Sequence, residues 1–158
     1  MNHPLRHHSG FTLLEVLITL VILSVGLLGL ARLQMAAIQF NHSALLRSQA
    51  LLLTNDILER MRANRSLASA GAYTTSHDSM IVSPPDCRNI SCSAAQLVLY
   101  DLAQWKQDLS TLLPDGSGEI NLLPSGGMER LVSIAIRWND NRKGNSADYT
   151  TFSWSAEL

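Results

Sequence analysis

The sequence predicts an α+β protein, in which a long membrane-spanning N-terminal helix packs on a small head with a second helix and a short antiparallel sheet. Three observations support this fold class. An apolar run occupies residues 11–33, apolar residues at helical spacing follow it, and the end of the chain changes to the period of two that strands show. The length of 158 residues allows one globular domain.

The apolar run has the length and composition of a transmembrane helix. Residues 11–33 read FTLLEVLITLVILSVGLLGLARL, where Glu15 is the only charge before Arg32. About 20 apolar residues cross a bilayer as a helix. The alternative is a secretory signal, whose apolar core of about 7–15 residues precedes a small-residue cleavage site. This run is longer and no Ala-x-Ala follows it, so the sequence favours a membrane span.

The same helix is expected to continue through residues 34–64, because no proline occurs from Phe11 to Ser83. Apolar residues spaced by four or three form a stripe there: Leu46, Ala50, Leu53, Ile57 and Met61. This stripe predicts packing against the head. Asp56 and Arg60, four residues apart, are predicted to pair, and Asn64 is the predicted end of the helix.

Residues 65–158 are predicted to form the head. Pro84 and Pro85 interrupt the chain before a second helix at residues 94–113, which a proline and a glycine end. Its apolar face is predicted to contain Leu102, Trp105, Leu109 and Leu112. The strand candidates, with a polar turn at 139–145 between the last two, are residues 119–122, 130–138 and 149–154.

The two cysteines, Cys87 and Cys92, are interpreted as a disulfide if this part of the chain lies outside the cytoplasm. A zinc half-site is the alternative, but no second pair of ligands completes it and His77 stands alone. Asp140 and Asp148 flank the polar turn, where a calcium site competes with a solvated hairpin. We predict no metal and no cofactor.

Charge and motifs disfavour two functional classes. The net charge of −1 and the lack of a basic stripe give no reason to expect nucleic acid as a partner. No Gly-rich phosphate loop, HExxH or GxSxG sequence occurs, so an enzyme is disfavoured. Arg60, Arg62 and Arg65 are interpreted as solvated cations at a helix end, with contact to phospholipid or nucleic acid as the alternative.

The most specific signal lies where the polar leader meets the apolar run. The string GFTLLEVL at residues 10–17 resembles the signature of type IV prepilins and type II secretion pseudopilins. The resemblance implies a leader at residues 1–10, which a prepilin peptidase cuts between Gly10 and Phe11, and N-methylation of Phe11. Leaders of this family usually carry Lys or Arg near the glycine, whereas Arg6 is the only firm cation here.

Glu15 corresponds to the family's fifth mature residue. A carboxylate inside hydrocarbon costs roughly 2.5–3.5 kcal/mol on translocon scales, so such residues are usually functional. The resemblance implies that Glu15 pairs with the terminal amine of a neighbouring subunit during assembly. The alternative is that Glu15 lies near enough to the membrane surface to stay hydrated.

Three further strings narrow the resemblance. LARLQ at residues 30–34, ERMRAN at 59–64 and the Trp105 tract at 101–118 are similar to PilV-like type IV pilus modification proteins, which are minor pilins. The proline that many major pilins carry in the helix is missing here.

The narrower resemblance implies a subunit of the bacterial inner membrane, with a periplasmic head, that enters the pilus. The implied partners are the prepilin peptidase, other minor pilins, the major pilin and the inner-membrane assembly platform. The alternatives are a type II secretion pseudopilin and a membrane-anchored periplasmic binding module.

Overall fold

A computed structural model describes residues 10–124, 130–140 and 149–158. The chain divides into two compact units, residues 1–41 and residues 42–158. The predicted leader, apart from Gly10, lies outside the described residues, as do Asp148 and residues 141–145 of the predicted turn. The α+β fold class is confirmed, since the described residues form a long apolar helix, a further long helix and a three-stranded antiparallel sheet.

Helix α1 extends over Leu13–Ala63 and so confirms the predicted continuous helix to within two residues at each end. Thr12 caps its start, because the Thr12 hydroxyl accepts a hydrogen bond from the Glu15 N–H at 3.3 Å. The carboxylate of Glu15 in the first turn also suits the positive end of the helix dipole. Among the described helices, α1 is the one long and apolar enough to cross a membrane.

The predicted apolar stripe of α1 is buried in the head. Its members, each at most 7 % exposed, are Leu46, Ala50, Leu53, Ile57 and Met61. They join one core with the second long helix and the sheet. The predicted ion pair also forms, with 2.9 Å between Arg60 Nε and Asp56 Oδ2.

A short helix, α2 at Arg65–Ser69, follows α1 directly, where the sequence predicted an irregular Ser/Ala/Gly stretch. The reason is tertiary: Ala68 is buried in the core, and the Asn64 side-chain amide donates to the Ala94 carbonyl oxygen at 3.0 Å. These contacts hold the segment against the start of the next long helix.

Helix α3 covers Ala94–Leu112 and begins with a capping box. The Ser93 hydroxyl accepts from the Gln96 N–H at 3.3 Å, and the Gln96 side chain accepts from the Ser93 N–H at 2.9 Å. The prediction that Leu112 faces the core is wrong, since Leu112 is 47 % exposed and Leu113 is buried instead. The helix ends at Leu112, and the extended backbone of Leu113 turns the next side chain inward.

The sheet has the antiparallel order β1 (Ser117–Leu123), β2 (Leu131–Asn139) and β3 (Tyr149–Glu157). All three strands extend beyond the predicted ranges because pairing with β2 continues past the alternating apolar residues. Asn139, predicted to lie in a turn, is therefore the last residue of β2. The inward face of β2 is fully buried and consists of Val132, Ile134, Ile136 and Trp138.

Close approach of β1 to α3 requires glycine at two positions. A Cβ at Gly118 would overlap the Trp105 ring and the Leu109 side chain, and a Cβ at Gly116 would overlap the Leu109 carbonyl. Trp105 is fully buried, and its indole Nε1 donates to the Leu53 carbonyl oxygen of α1 at 3.0 Å. The predicted role of Trp105 in the core is thus confirmed, and this side chain joins α1, α3 and β1.

Candidate assembly site and the polar clusters of the head

The junction residues predicted from the sequence are adjacent and accessible. Phe11 is 84 % exposed, and Gly10 has open space around it. Within the part of the chain that the structure describes, no side chain forms an ion pair or hydrogen bond with the Glu15 carboxylate. A peptidase therefore has free access to the Gly10–Phe11 bond, and Glu15 is available to a group from another molecule.

The first unit exposes nearly all of its apolar side chains. The large hydrophobic residues between Phe11 and Phe40 are between 48 % and 84 % exposed. A continuous apolar surface of this kind is stable only against lipid or protein. The surface is therefore suited first to a membrane and then to packing between helices.

The two cysteines form the predicted disulfide, with 5.5 Å between the Cα atoms of Cys87 and Cys92. This bond removes the zinc half-site, and the described residues contain no group of three or more metal-ligating side chains. The loop is attached to α3 by Arg88, whose guanidinium donates to the Tyr100 hydroxyl at 2.7 Å and to Gln104 Oε1 at 3.1 Å.

Replacement of Cys87 and Cys92 by serine is expected to lower the free energy of unfolding by about 2 kcal/mol, because the closed loop is short. The head should stay folded, since Arg88 and the large core remain. Denaturant unfolding of the purified chain with and without reductant measures the effect. Complete unfolding on reduction, or mass spectrometry showing two free thiols in native material, would contradict the expectation.

A buried polar cluster that the sequence did not predict is built around Asp101 of α3. Its carboxylate accepts from the Tyr73 hydroxyl at 2.8 Å and from Arg60 Nη1 at 3.4 Å. Burial and the bond to Asp101 raise the pKa of Tyr73, which therefore stays a hydrogen-bond donor. The available signal was the spacing of Asp101 with the core residues Val98 and Trp105.

The cluster corrects the interpretation of the arginines at the end of α1. Arg60 is not a solvated cation, because its half-buried side chain lies between Asp56 and Asp101. Arg62 and Arg65 are exposed, and Arg62 pairs with Glu59 at 2.6 Å. Arg60 therefore holds the end of α1 against α3.

A second polar cluster surrounds His77, next to an open cleft of about 470 Å³ between α3 and residues 77–84. Lys106 crosses this region, and its Nζ donates to the carbonyl oxygens of Ser76 and Gly118, the latter at 2.7 Å. Arg137 Nε donates to the Ser117 hydroxyl at 2.9 Å. These contacts fix the loop after Thr75 against α3 and the sheet.

The groups around His77 bring together a serine, a histidine and a glutamate, but their spacing does not suit nucleophilic catalysis. The Ser117 hydroxyl lies 3.4 Å from Nδ1, and Glu119 lies 3.9 Å from Nε2. Activated nucleophiles sit at about 2.6–3.2 Å from their base. Since the Arg137 guanidinium already donates to the serine oxygen, the cluster is better explained as a structural one.

We expect the head to lose stability as the pH falls through about 6.5, the ordinary pKa of histidine. Burial and Arg137 lower the pKa of His77, and Glu119 only partly opposes this. The unfolded chain therefore takes up a proton before the folded chain does. Stability is complete above the unfolded pKa and decreases toward the folded one.

Urea unfolding at pH values above and below this transition measures the effect. His77→Asn should remove that part of the pH dependence, whereas the control His42→Asn, an exposed position on α1, should keep it. An unchanged pH dependence in His77→Asn would show that other groups cause it.

The calcium alternative is not supported at Asp140. The Ser43 hydroxyl donates to Asp140 Oδ2 at 2.8 Å, which connects the end of β2 to α1. Asp148, the other predicted ligand, lies outside the described residues.

The fold and the junction define a class of protein: a helix-anchored α+β head preceded by an accessible processing-type sequence. A model of the prokaryotic N-terminal methylation motif matches residues 5–31, and a model described as type IV pilin Tt1218 matches residues 32–103. The chain is a type IV pilin-like protein, as its resemblance predicted. No curated protein and no solved structure is significantly similar to it.

Proposed function

We propose that this chain is a minor pilin that takes part in the assembly of a type IV pilus as a structural subunit. The single observation that carries the proposal is the match of residues 5–31 to the methylation motif, which continues directly into an exposed apolar helix. This motif implies processing by a prepilin peptidase and assembly with other pilins.

The proposed processing follows from the junction. The peptidase would remove residues 1–10 by cutting between Gly10 and Phe11, and Phe11 would then be N-methylated. Residues 11–33 would anchor the chain once in the bacterial inner membrane, residues 34–64 would continue as the amphipathic part of the helix, and residues 65–158 would form the periplasmic head. The exposure of Phe11 and the apolar surface of α1 support this arrangement.

Glu15 is proposed to set the position of the subunit during assembly. Its carboxylate has no partner among the described side chains, and a new amine at Phe11 of a neighbouring chain would neutralise it. Pairing of the two charges removes the cost of holding either one in hydrocarbon. The proposed partners beyond the peptidase are other minor pilins, the major pilin and the inner-membrane assembly platform.

Deletion of the gene, scored in parallel for surface pili, twitching and protein secretion, tests the proposal. We expect loss of pili and twitching, restored by the intact gene, with secretion unchanged. Loss of secretion with normal pili would favour a type II secretion pseudopilin instead. An uncleaved leader together with a monomer after crosslinking would indicate a membrane-anchored binding module. Mass spectrometry should find a methylated Phe11 at the mature N-terminus.

A further inference from the structure

The two outer edges of the sheet differ. The edge at β1 is partly covered, because Ile120 and Thr75 exchange two backbone hydrogen bonds of 2.9 Å and 3.0 Å. Strand β3 pairs with β2 on one side, and no other described segment pairs with it. Its outer side is therefore a row of backbone donors and acceptors.

The register identifies the groups that point outward. The Leu158 N–H donates to the Arg130 carbonyl oxygen at 3.1 Å, in line with the pairing of Leu131 and Glu157. Hydrogen-bonded and non-hydrogen-bonded pairs alternate along antiparallel strands. The even-numbered residues of β3 therefore bond to β2, and the odd-numbered residues direct their N–H and C=O groups away from the sheet. These outward residues include Thr151, Ser153 and Ser155.

Strand β3 lacks the features that normally protect an edge. Proteins discourage edge pairing with charges, prolines, bulges or very short strands. Residues 149–156 read YTTFSWSA and contain no charge and no proline. The strand is nine residues long, and its pairing with β2 is regular throughout. Such an edge is well suited to accept another strand.

The two faces of β3 specify the chemistry of that strand. Phe152 and Trp154 lie on the inward face, opposite Ile136 and Ile134. Ile134 is fully buried but Trp154 is 47 % exposed, because no described strand lies beyond it. The other face presents only small hydroxyl side chains along the edge. A fitting strand is uncharged and alternates apolar residues with small polar ones.

A second copy of this chain, paired through the same antiparallel edge, does not fit the anchor. The two-fold axis that relates two equivalent antiparallel strands is perpendicular to the sheet. The helices packed on the sheet would then run in opposite directions in the two copies. The His42 ends of the two heads, where each chain continues to its membrane segment, would point in opposite directions. Two chains inserted in the same sense in one membrane cannot satisfy this arrangement.

We propose that β3 accepts, by strand addition, an extended and uncharged segment of a different pilin-like subunit. Backbone hydrogen bonds to Thr151, Ser153 and Ser155 would supply affinity, and the exposed ring of Trp154 would cover an apolar side chain of the incoming strand. This inference rests on the proposed function, since it requires a partner in the same assembly.

The test is photo-crosslinking in the living cell, with a benzophenone amino acid at position 151 of the full chain. We expect a crosslink to one other pilin-like subunit, with the attached peptide identified by mass spectrometry as an extended uncharged segment. Ser153→Pro in the same chain should reduce this crosslink by about tenfold, because it removes an outward N–H and blocks the approaching strand. Ser153→Ala keeps the N–H and should leave the crosslink within about twofold of the parent.

Ser153→Lys is a second variant that leaves the backbone intact and should weaken the crosslink by placing a charge at the edge. Proteolytic resistance of the head and the intact Cys87–Cys92 bond are checked in every variant. A crosslink unaffected by both substitutions, a crosslink to a second copy, or no crosslink to any pilin-like chain would overturn the proposal. Cleavage at Phe11 and the pilus phenotype are scored separately, so failure of strand addition is distinguishable from failure of the proposed function.

Discussion

Asp101→Ala is expected to lower the free energy of unfolding of the head by about 3 kcal/mol. The Asp101 carboxylate is 8 % exposed, and the hydroxyl of the fully buried Tyr73 has it as its acceptor. Its removal leaves that hydroxyl without an acceptor in a region that water does not reach. Arg60 loses one of two carboxylates but keeps Asp56, so its loss is smaller.

Denaturant unfolding of the purified full chain in detergent measures this effect. Tyr73→Phe removes the donor together with its need for an acceptor, and should cost only about 1 kcal/mol. The control Glu59→Ala breaks an exposed pair with Arg62 and should change stability by at most about 0.5 kcal/mol. A loss below about 1 kcal/mol in Asp101→Ala would show that the cluster relaxes or hydrates without cost.

Glu15→Ala is expected to reduce incorporation into filaments by about tenfold or more, with membrane insertion and cleavage intact. The proposed pairing with a neighbouring amine is lost, so that the amine enters hydrocarbon with its charge uncompensated. The substitution makes the helix more apolar, and insertion should therefore not suffer. The ratio of this chain in sheared pili to that in membranes measures the effect.

Ser24→Ala is the matched control, because it also removes a polar group from the apolar segment. The Ser24 hydroxyl donates to the Val21 carbonyl of its own helix at 2.8 Å, so no neighbouring subunit is needed to satisfy it. Incorporation of Ser24→Ala should match the parent chain. Normal filament recovery of Glu15→Ala would contradict the assembly role of Glu15.

These two substitutions separate folding of the head from assembly. Asp101 lies where α3 meets the chain after α1, and Glu15 lies in the first turn of α1, in the other compact unit. Asp101→Ala should lower the amount of protein in the membrane and in pili together. Glu15→Ala should change only the ratio between the two.

The sequence alone determined the features that depend on local spacing. The apolar run predicted α1, the four-and-three spacing predicted which residues between Leu46 and Met61 are buried, and the alternation between Val132 and Trp138 predicted the inward face of β2. Each of these signals repeats within one element, so no distant contact is needed to interpret it. The same holds for the GFTLLEVL string and its match to the methylation motif.

Only the tertiary structure decided which distant polar groups meet. Asp101 is 28 residues from Tyr73 and 41 residues from Arg60, and no periodic pattern connects such positions. The same reason explains helix α2, the burial of Leu113 in place of Leu112, and the grouping around His77. The exposed edge of β3 also depends on strand order, because pairing depends on backbone groups that every residue carries.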